Sequence, residues 1–335
     1  MSTTTTAAAP LRIGYVPEHY LAPLHLAVPH FGPSMAVRLV AFPSGTGHMI
    51  AALRADELDL AIGLTEGWVA GLLTPEGQRL QGYRVVGSWV RSPLRWAVVT
   101  GRDRADIQTV RDLQAHRRVG VSRLGSGSHI MAFVLALQEG WLSSSTPAAE
   151  AAPLELVPLG PFENLRDGVT GDKGGEGGEG GEPPKADFFM WEHFTTKPYF
   201  DSSSAAAPLK KIGELYTPWP SWHIAASTRT FPDPAADARL AAVFGALDQG
   251  VEDFYRDLER AVRLLGTGEL GCRYSEADAR EWLEGVEFVR HGGGTCGVSR
   301  DVMQGVIDVL VGAGVVGRGA GTVDGAGVVG IERGN

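Results

Sequence analysis

An α/β protein of two lobes, each a mainly parallel sheet flanked by helices, with further helices at the C-terminal end, is what this 335-residue sequence predicts. Three observations carry that reading. Short β-prone runs alternate with stretches of helical period, the pattern of parallel strands joined by right-handed crossovers. The alternation runs once, stops, and restarts after Thr100. Two turns of nearly the same wording, "PSGTGHMI" at Pro43–Ile50 and "LGSGSHIM" at Leu124–Met131, stand at strand-to-helix junctions, one in each run.

The first run opens with a strand at Leu11–Val16, which Pro17 ends. A helix is expected over Tyr20–Phe31, with Pro23 and Pro29 blurring its ends. Val37–Phe42 is a second strand, and Thr46–Ala55 a helix with Met49, Ile50 and Leu53 on one face. Leu58–Leu64 is a third strand, followed by a helix over Glu66–Leu73. Arg84–Val90 and Arg95–Thr100 are two more strands, joined by a turn at Ser92–Pro93.

The second run begins with a helix in "TVRDLQAH", a strand in "RVGV" and a helix over Gly127–Glu139. A strand in "LELVPL", a short helix at Phe162–Gly168 and a strand in "ADFFMW" complete it. The chain returns through "LKKIGELY" and "SWHIAAST", then ends in helices at Pro234–Leu265, Ser275–Gly285 and Ser299–Val311. Residues 1–10 read as a disordered N-terminus and 313–335 as a flexible tail. Stretches 143–153, 171–184 and 202–208 are low in complexity and read as surface loops inserted in the second lobe.

Composition narrows the function. Hydrophobic residues make up 44% of the chain, enough for two cores. The net charge of −9 comes without a Lys/Arg cluster to track phosphates, which argues against nucleic acid. Neither a bilayer-spanning stretch nor a basic, apolar leader is evident, so the reading is a soluble cytosolic protein without a membrane partner. Cys272 and Cys296 fit no zinc spacing and read as free thiols, although a disulfide between them stays open.

The two turns suggest why the chain repeats itself. Ligands of open α/β sheets sit outside the carboxyl ends of the strands, where helices begin. Both turns lie there, at what read as equivalent places in successive units. Their small residues, Ser44, Gly45, Thr46 and Gly47 in one and Ser122, Gly125, Ser126, Gly127 and Ser128 in the other, allow close backbone approach. Free N–H groups and the helix dipole then favour an anion. The expectation is two halves of one site. The alternative is two helices capped alike.

Other strand ends add residues. Thr65 and Glu66 follow the third strand, with Glu66 either complementing the dipole or accepting from an amine-like ligand. Trp191, Glu192 and His193 follow a second-lobe strand and suit a ring-bearing ligand. His19 and Tyr20 follow the first strand. Trp96 and Trp222 either line the cleft or belong to the core. His48 and His129, in the first turns of their helices, read as neutral hydrogen-bonding groups rather than metal ligands.

The order of elements, with "SGTGHMIAAL", "ELDLAIGLTEG", "GVSRLGSGSHIMA" and "ADFFMWEHFTTKPY", resembles the type II periplasmic-binding-protein fold over Arg12–Thr228. It is most similar to fungal cytosolic proteins of that fold with no assigned function. More distantly it resembles sulfonate-, nitrate- and taurine-binding proteins of bacterial importers and the thiamine-pyrimidine synthases of fungi. The resemblance implies two crossings between lobes, with hinges near Val99–Arg102 and Gly213–Pro220. Lobe one would then hold 11–99 and 221–312, and lobe two 100–220. It implies a binding protein that holds a small anionic, possibly ring-bearing metabolite in a hinged cleft, without a cofactor. The alternative is an enzyme of pyrimidine, thiamine-precursor or sulfonate metabolism. The synthases imply a pyridoxal-phosphate lysine and a cysteine-rich iron motif. Here no lysine precedes Lys173 and no cysteine cluster exists.

Overall fold

The computed structural model describes residues 9–32, 35–141, 154–171, 183–201, 207–290, 292–317 and 327–333. Ten strands occur among them: β1 (Leu11–Tyr15), β2 (Val37–Ala41), β3 (Leu60–Leu64), β4 (Tyr83–Val90), β5 (Arg95–Gly101), β6 (Arg118–Val121), β7 (Glu155–Pro158), β8 (Phe188–Glu192), β9 (Leu209–Tyr216) and β10 (Trp222–Ser227). The α-helices are α1 (Ala22–Ala27), α2 (Thr46–Arg54), α3 (Thr65–Leu73), α4 (Pro75–Leu80), α5 (Gly127–Gln138), α6 (Phe162–Thr170), α7 (His193–Thr196), α8 (Ala238–Arg256), α9 (Leu258–Thr267), α10 (Glu276–Gly285) and α11 (Arg300–Gly312).

They form two compact units. The first comprises the described residues of Met1–Ser92, Trp219–Val311 and Val316–Asn335; the second those of Pro93–Pro218 and Gly312–Val315. The first sheet has the order β2-β1-β3-β10-β4 and the second β7-β6-β8-β5-β9. In each, the first three strands are mutually parallel and the fourth runs antiparallel to both neighbours. The sheets are therefore mixed, with four of five strands pointing one way.

The two orders superimpose strand for strand, and one pair of ionic locks marks the match. Arg12 of β1 gives its backbone N–H to Asp59 Oδ2 (2.8 Å) and its guanidinium to both carboxylate oxygens (3.0 Å each). Arg118 of β6 gives its N–H to Asp187 Oδ2 (3.0 Å) and Nη2 to Oδ1 (2.9 Å). Asp59 precedes β3 and Asp187 precedes β8. Each lock fixes the inner parallel strand to the entry of its neighbour. Bidentate, charge-assisted geometry gives that contact its directionality.

Trp68, Trp89, Trp282, Phe254 and Phe288 fill the first core. Ala97, Val99, Leu165, Val169 and Phe189 form the second. The Trp68 indole donates to the His223 carbonyl (3.1 Å) and Tyr83 Oη to the Trp68 carbonyl (2.8 Å), so these two buried rings keep their polar atoms paired.

Several elements differ from the expectation. Tyr20–Phe31 is not one helix: a 3-10 turn (His19–Leu21), α1 and a second 3-10 turn (Val28–His30) divide it. Pro23 and Pro29 have no N–H to give a continuous helix. "TVRDLQAH" forms only a 3-10 turn, Val110–Gln114, closed by a Thr109–Asp112 capping box. The run 234–265 breaks at Asp257, whose carboxylate caps the Arg260 N–H (2.8 Å) and starts α9. The helix α4 was not anticipated; Thr74 Oγ1 caps it through the Gly77 N–H (3.2 Å).

The outward crossing also differs. The chain leaves the first unit at Ser92–Pro93, so β5 lies wholly in the second sheet, not in lobe one. The turn at Ser92–Pro93 is the crossing itself. The chain returns to the first unit at Pro218–Trp219.

The C-terminal residues are not a free tail where they are described. The Val85 N–H donates to the Val328 carbonyl (2.9 Å), and the Gly330 N–H to the Val85 carbonyl (2.8 Å). Val298 and Arg333 are paired likewise. This strap pairs with Val85 near the start of β4, the edge strand of its sheet, whose later residues pair with Phe288, Thr295 and Gly297, and Val328 is completely buried. Stretches 143–153, 172–182, 202–206 and 318–326, and residues 1–8, fall outside the described residues. Among the described residues, no helix is long and apolar enough to cross a membrane.

Candidate functional site

In the first unit, β1, β2, β3 and β4 end on one edge of the sheet, and β10 starts there. The register sets Tyr15 beside Ala41 and Ile62, and Trp222 beside Leu64 and Val90. His19, Tyr20, Ser44 to Gly47, Thr65, Glu66 and Trp222 all follow or begin strands at this carboxyl edge. In the second unit, Ser122 to Ser128 and Glu192 stand at the carboxyl edge of sheet two, where β5 begins with Arg95 and Trp96.

The first turn is set by Gly45, the N-cap of α2, with φ of 80°. No side chain caps that helix. A Cβ on Gly45 would meet nothing within 4 Å, so the backbone there is open on that side. Thr46 is not available: its Oγ1 accepts the Leu64 N–H at 3.0 Å and ties α2 to the end of β3. Gly63 and Gly67 make room for it, since a Cβ on either would lie within 2.9 Å of Thr46 atoms. The N–H groups of Thr46 and Gly47 find no acceptor among the described residues.

The second turn is knitted internally. Ser126 caps α5 through the His129 N–H (3.4 Å). Ser128 Oγ accepts the Ser122 N–H (3.0 Å) and lies 3.0 Å from Ser126 Oγ. The Gly125 N–H donates to His129 Nδ1 (2.9 Å), with Gly125 at φ of 77°. His129 is therefore the Nε2–H tautomer, and burial lowers its pKa. The serine hydroxyls are committed, while the N–H groups of Gly127 and Ser128 find no acceptor among the described residues.

The turns are not at equivalent places. The first follows β2, the edge strand; the second follows β6, which matches β1. Chain order misleads because the second unit is entered through β5, which corresponds to β10, the last strand of the first sheet. What recurs at matching positions is a tryptophan at the start of the fourth strand, Trp222 opposite Leu64 and Trp96 opposite Glu192, with a carboxyl group near the end of the third strand in each sheet.

Glu66, after β3, is 1% exposed. Its Oε2 accepts the Trp219 indole N–H at 3.1 Å, and Oε1 is buried with no partner. Burial raises its pKa to about 7 against the weaker pull of its own backbone N–H and Trp219. Glu192, the last residue of β8, caps α7 through the Thr195 N–H (2.7 Å). Burial raises it to about 7 as well, opposed by the Thr195 and Phe194 N–H groups and by Arg95. Trp222 and Trp96 are buried, and the indole Nε1 of each lacks a partner.

Other expected residues are spent on structure. Thr65 Oγ1 donates to the Pro220 carbonyl (2.5 Å) and meets His223 Nδ1 (2.7 Å). His19 pairs through Nδ1 with Tyr274 Oη (2.7 Å), and burial lowers its pKa to about 3. Tyr20 stacks on Trp222 (5.6 Å). Trp191 packs with Phe162 (5.9 Å) against the second core, because neighbours on a strand face opposite ways and Glu192 takes the other side. Trp219 is the site residue that the sequence reading missed. Its only signal was its place, an aromatic between two prolines at the return crossing. No group of three or more His, Cys, Asp or Glu that could hold a metal occurs among the described residues.

Against this geometry, a family model described as Ca3427-like PBP matches residues 96–215. The chain is similar to the Candida albicans CA3427 gene product, which defines a family with the generic periplasmic-binding-protein fold. The identity is 31% over 98% of this chain and 97% of that one, with a TM-score of 0.78. The alkanesulfonate-binding protein SsuA of Xanthomonas axonopodis pv. citri, bound to MOPS, is 17% identical over 94% of this chain and 96% of its own, at a TM-score of 0.64. The aliphatic sulphonate-binding SsuA of Escherichia coli is 17% identical over 96% and 97%, also at 0.64. None of the curated proteins matches the chain.

Proposed function

Because the chain belongs to the family that the CA3427 product of Candida albicans defines, with its periplasmic-binding-protein fold, we propose that it binds a small anionic metabolite at the carboxyl edge of a sheet, where helices begin. The observation that carries the anion is the pair of helix starts whose N–H groups have no acceptor: Thr46 and Gly47 at α2, Gly127 and Ser128 at α5. Each presents donors along a helix dipole, where negative charge is favoured. The unpartnered indole N–H groups of Trp96 and Trp222 add donors at the same strand ends. Their rings suit an apolar or ring-bearing portion of the ligand.

A thermal-shift panel of sulfonates, phosphates, carboxylates, cations and neutral apolar compounds tests this. A bound anion at a hundredfold excess over its Kd stabilises by about 2.7 kcal/mol. Stabilisation by cations or neutral compounds alone contradicts the reading. The two carboxyl groups that titrate near neutrality, Glu66 and Glu192, favour a second reading, acid–base chemistry on the bound molecule. Turnover of a bound compound, followed by mass spectrometry, separates the two.

A further inference from the structure

The two oxygens of Glu66 have different fates. Oε2 accepts the Trp219 indole N–H at 3.1 Å, whereas Oε1 is buried and unpartnered. The pair is held rigidly. Trp219 is the first residue of the return into its unit, and Thr65 fixes the next two residues. Thr65 Oγ1 donates to the Pro220 carbonyl at 2.5 Å, and its N–H donates to the Ser221 carbonyl at 3.1 Å. Ser221 in turn gives its N–H and Oγ to the Ser92 carbonyl, at 3.3 and 2.8 Å. The start of α3 and the returning chain are therefore held in fixed register, which keeps the Trp219 indole against the Glu66 carboxyl group.

An indole N–H only donates, so the oxygen that accepts it is the poorer place for a proton. A proton on Glu66 belongs on Oε1. There it makes a hydroxyl donor that nothing in the described protein accepts. A buried polar atom without a partner costs about 1–3 kcal/mol, which a ligand oxygen can remove.

The surroundings supply no counter-charge. His223 on β10 reaches the start of α3 through Thr65 and is kept neutral by burial, with its pKa near 3. His19, after β1, is likewise neutral. From α2, Thr46 lies against the adjacent Gly67; from the return crossing Trp219 meets the carboxyl group; Arg333 acts on His223 and does not contribute at Glu66. No charged side chain contributes to the shift of Glu66.

We propose that Glu66 meets the ligand as a neutral carboxylic acid, its Oε1 hydroxyl donating to the ligand's anionic group, so that binding takes up one proton. Trp219 is a positioning residue that selects the oxygen. The inference rests on the anionic ligand proposed above and adds the proton.

The test is calorimetric titration with ethanesulfonate, whose charge is constant from about pH 5.5 to 9. Affinity of the wild type should be level below about pH 7 and fall about tenfold per unit above it. At about pH 8.5, titrations in two buffers of different ionisation enthalpy should count close to one proton taken up. Glu66→Gln supplies a carbonyl for Trp219 and an N–H for the ligand. It should bind with little pH dependence and be tighter than wild type at about pH 8.5. Trp219→Phe should bind several-fold more weakly. Wild-type affinity that is level across the range, a proton count of zero or below, or an unchanged pH slope in Glu66→Gln overturns the inference and leaves anion binding standing. If ethanesulfonate fails to bind at every pH, the anion reading falls and this inference with it. If Glu66→Gln does not fold, the wild-type proton count decides alone.

Discussion

Trp96 of β5 stands directly opposite Glu192 of β8 in the antiparallel register of the second sheet. Opposed residues share a face, with Cβ atoms about 5 Å apart. In the first sheet Trp222 takes the matching place, opposite Leu64 and two residues before Glu66 in sequence. Both tryptophans are buried with an indole N–H that has no partner. Trp141 and Trp282 also carry a buried, unpartnered indole N–H, but Trp96 and Trp222 differ in standing at the carboxyl edges of the sheets, where ligands of such folds sit.

Trp96→Phe and Trp222→Phe follow from this. Each removes an unsatisfied N–H along with some ring volume. These effects oppose each other, so the unliganded variants should unfold within about 1 kcal/mol of wild type in urea. Affinity for a bound anion should nevertheless drop several-fold. A large loss of stability with unchanged affinity assigns the rings to the core alone.

The buried carboxyls make stability depend on pH. Glu66 and Glu192 have an ordinary value of 4.5, and each is raised to about 7 in the fold. The folded state therefore binds more protons than the unfolded state between these values. That contribution is full below about pH 4.5 and is lost as pH rises through 7. The loss is on the order of 3 kcal/mol per group. Urea unfolding at about pH 5 and pH 8.5 should show Glu66→Gln gaining on wild type at the higher pH only. An equal difference at both values contradicts the burial argument.

Gly67→Ala separates local propensity from packing. In an exposed helix this change stabilises by about 1 kcal/mol. Here the new Cβ would lie 2.9 Å from Thr46 Cγ2, against a threonine held by the Leu64 N–H. Overpacking of that kind costs about 1–3 kcal/mol, so thermal unfolding should show a net loss. A gain would mean that the start of α2 moves freely.

Deletion of residues 327–335 strips the strap from β4. The Val85 N–H then loses its acceptor, and the first part of an edge strand is bared. Concentration-dependent self-association should appear in light scattering. A variant that stays monomeric and equally stable shows that the strap is dispensable.

Much of the fold was legible because strands and helices write their periods into sequence. "LRIGY", "LAIGL" and "RVGV" sit within a residue or two of their expected limits. Sheet order was not legible, since nothing local to "VRLVA" distinguishes an edge strand from an inner one. For that reason the likeness of "PSGTGHMI" and "LGSGSHIM" read as positional equivalence, while the true recurrence, Trp222 and Trp96 at the start of the fourth strand of each sheet, went unremarked. Glu66 and Glu192 were found from their places after strands. Trp219 was not, because its partner is 153 residues away and no pattern records such a contact.

The most direct measurement of the central claim is an amide-resolved NMR titration with ethanesulfonate, following Thr46, Gly47, Gly127 and Ser128. Saturating shifts are expected at a helix start, Thr46 with Gly47 or Gly127 with Ser128, because the free N–H groups there hold the anion. Ethanesulfonate that binds while all four signals stay unmoved would contradict anion binding at the helix starts.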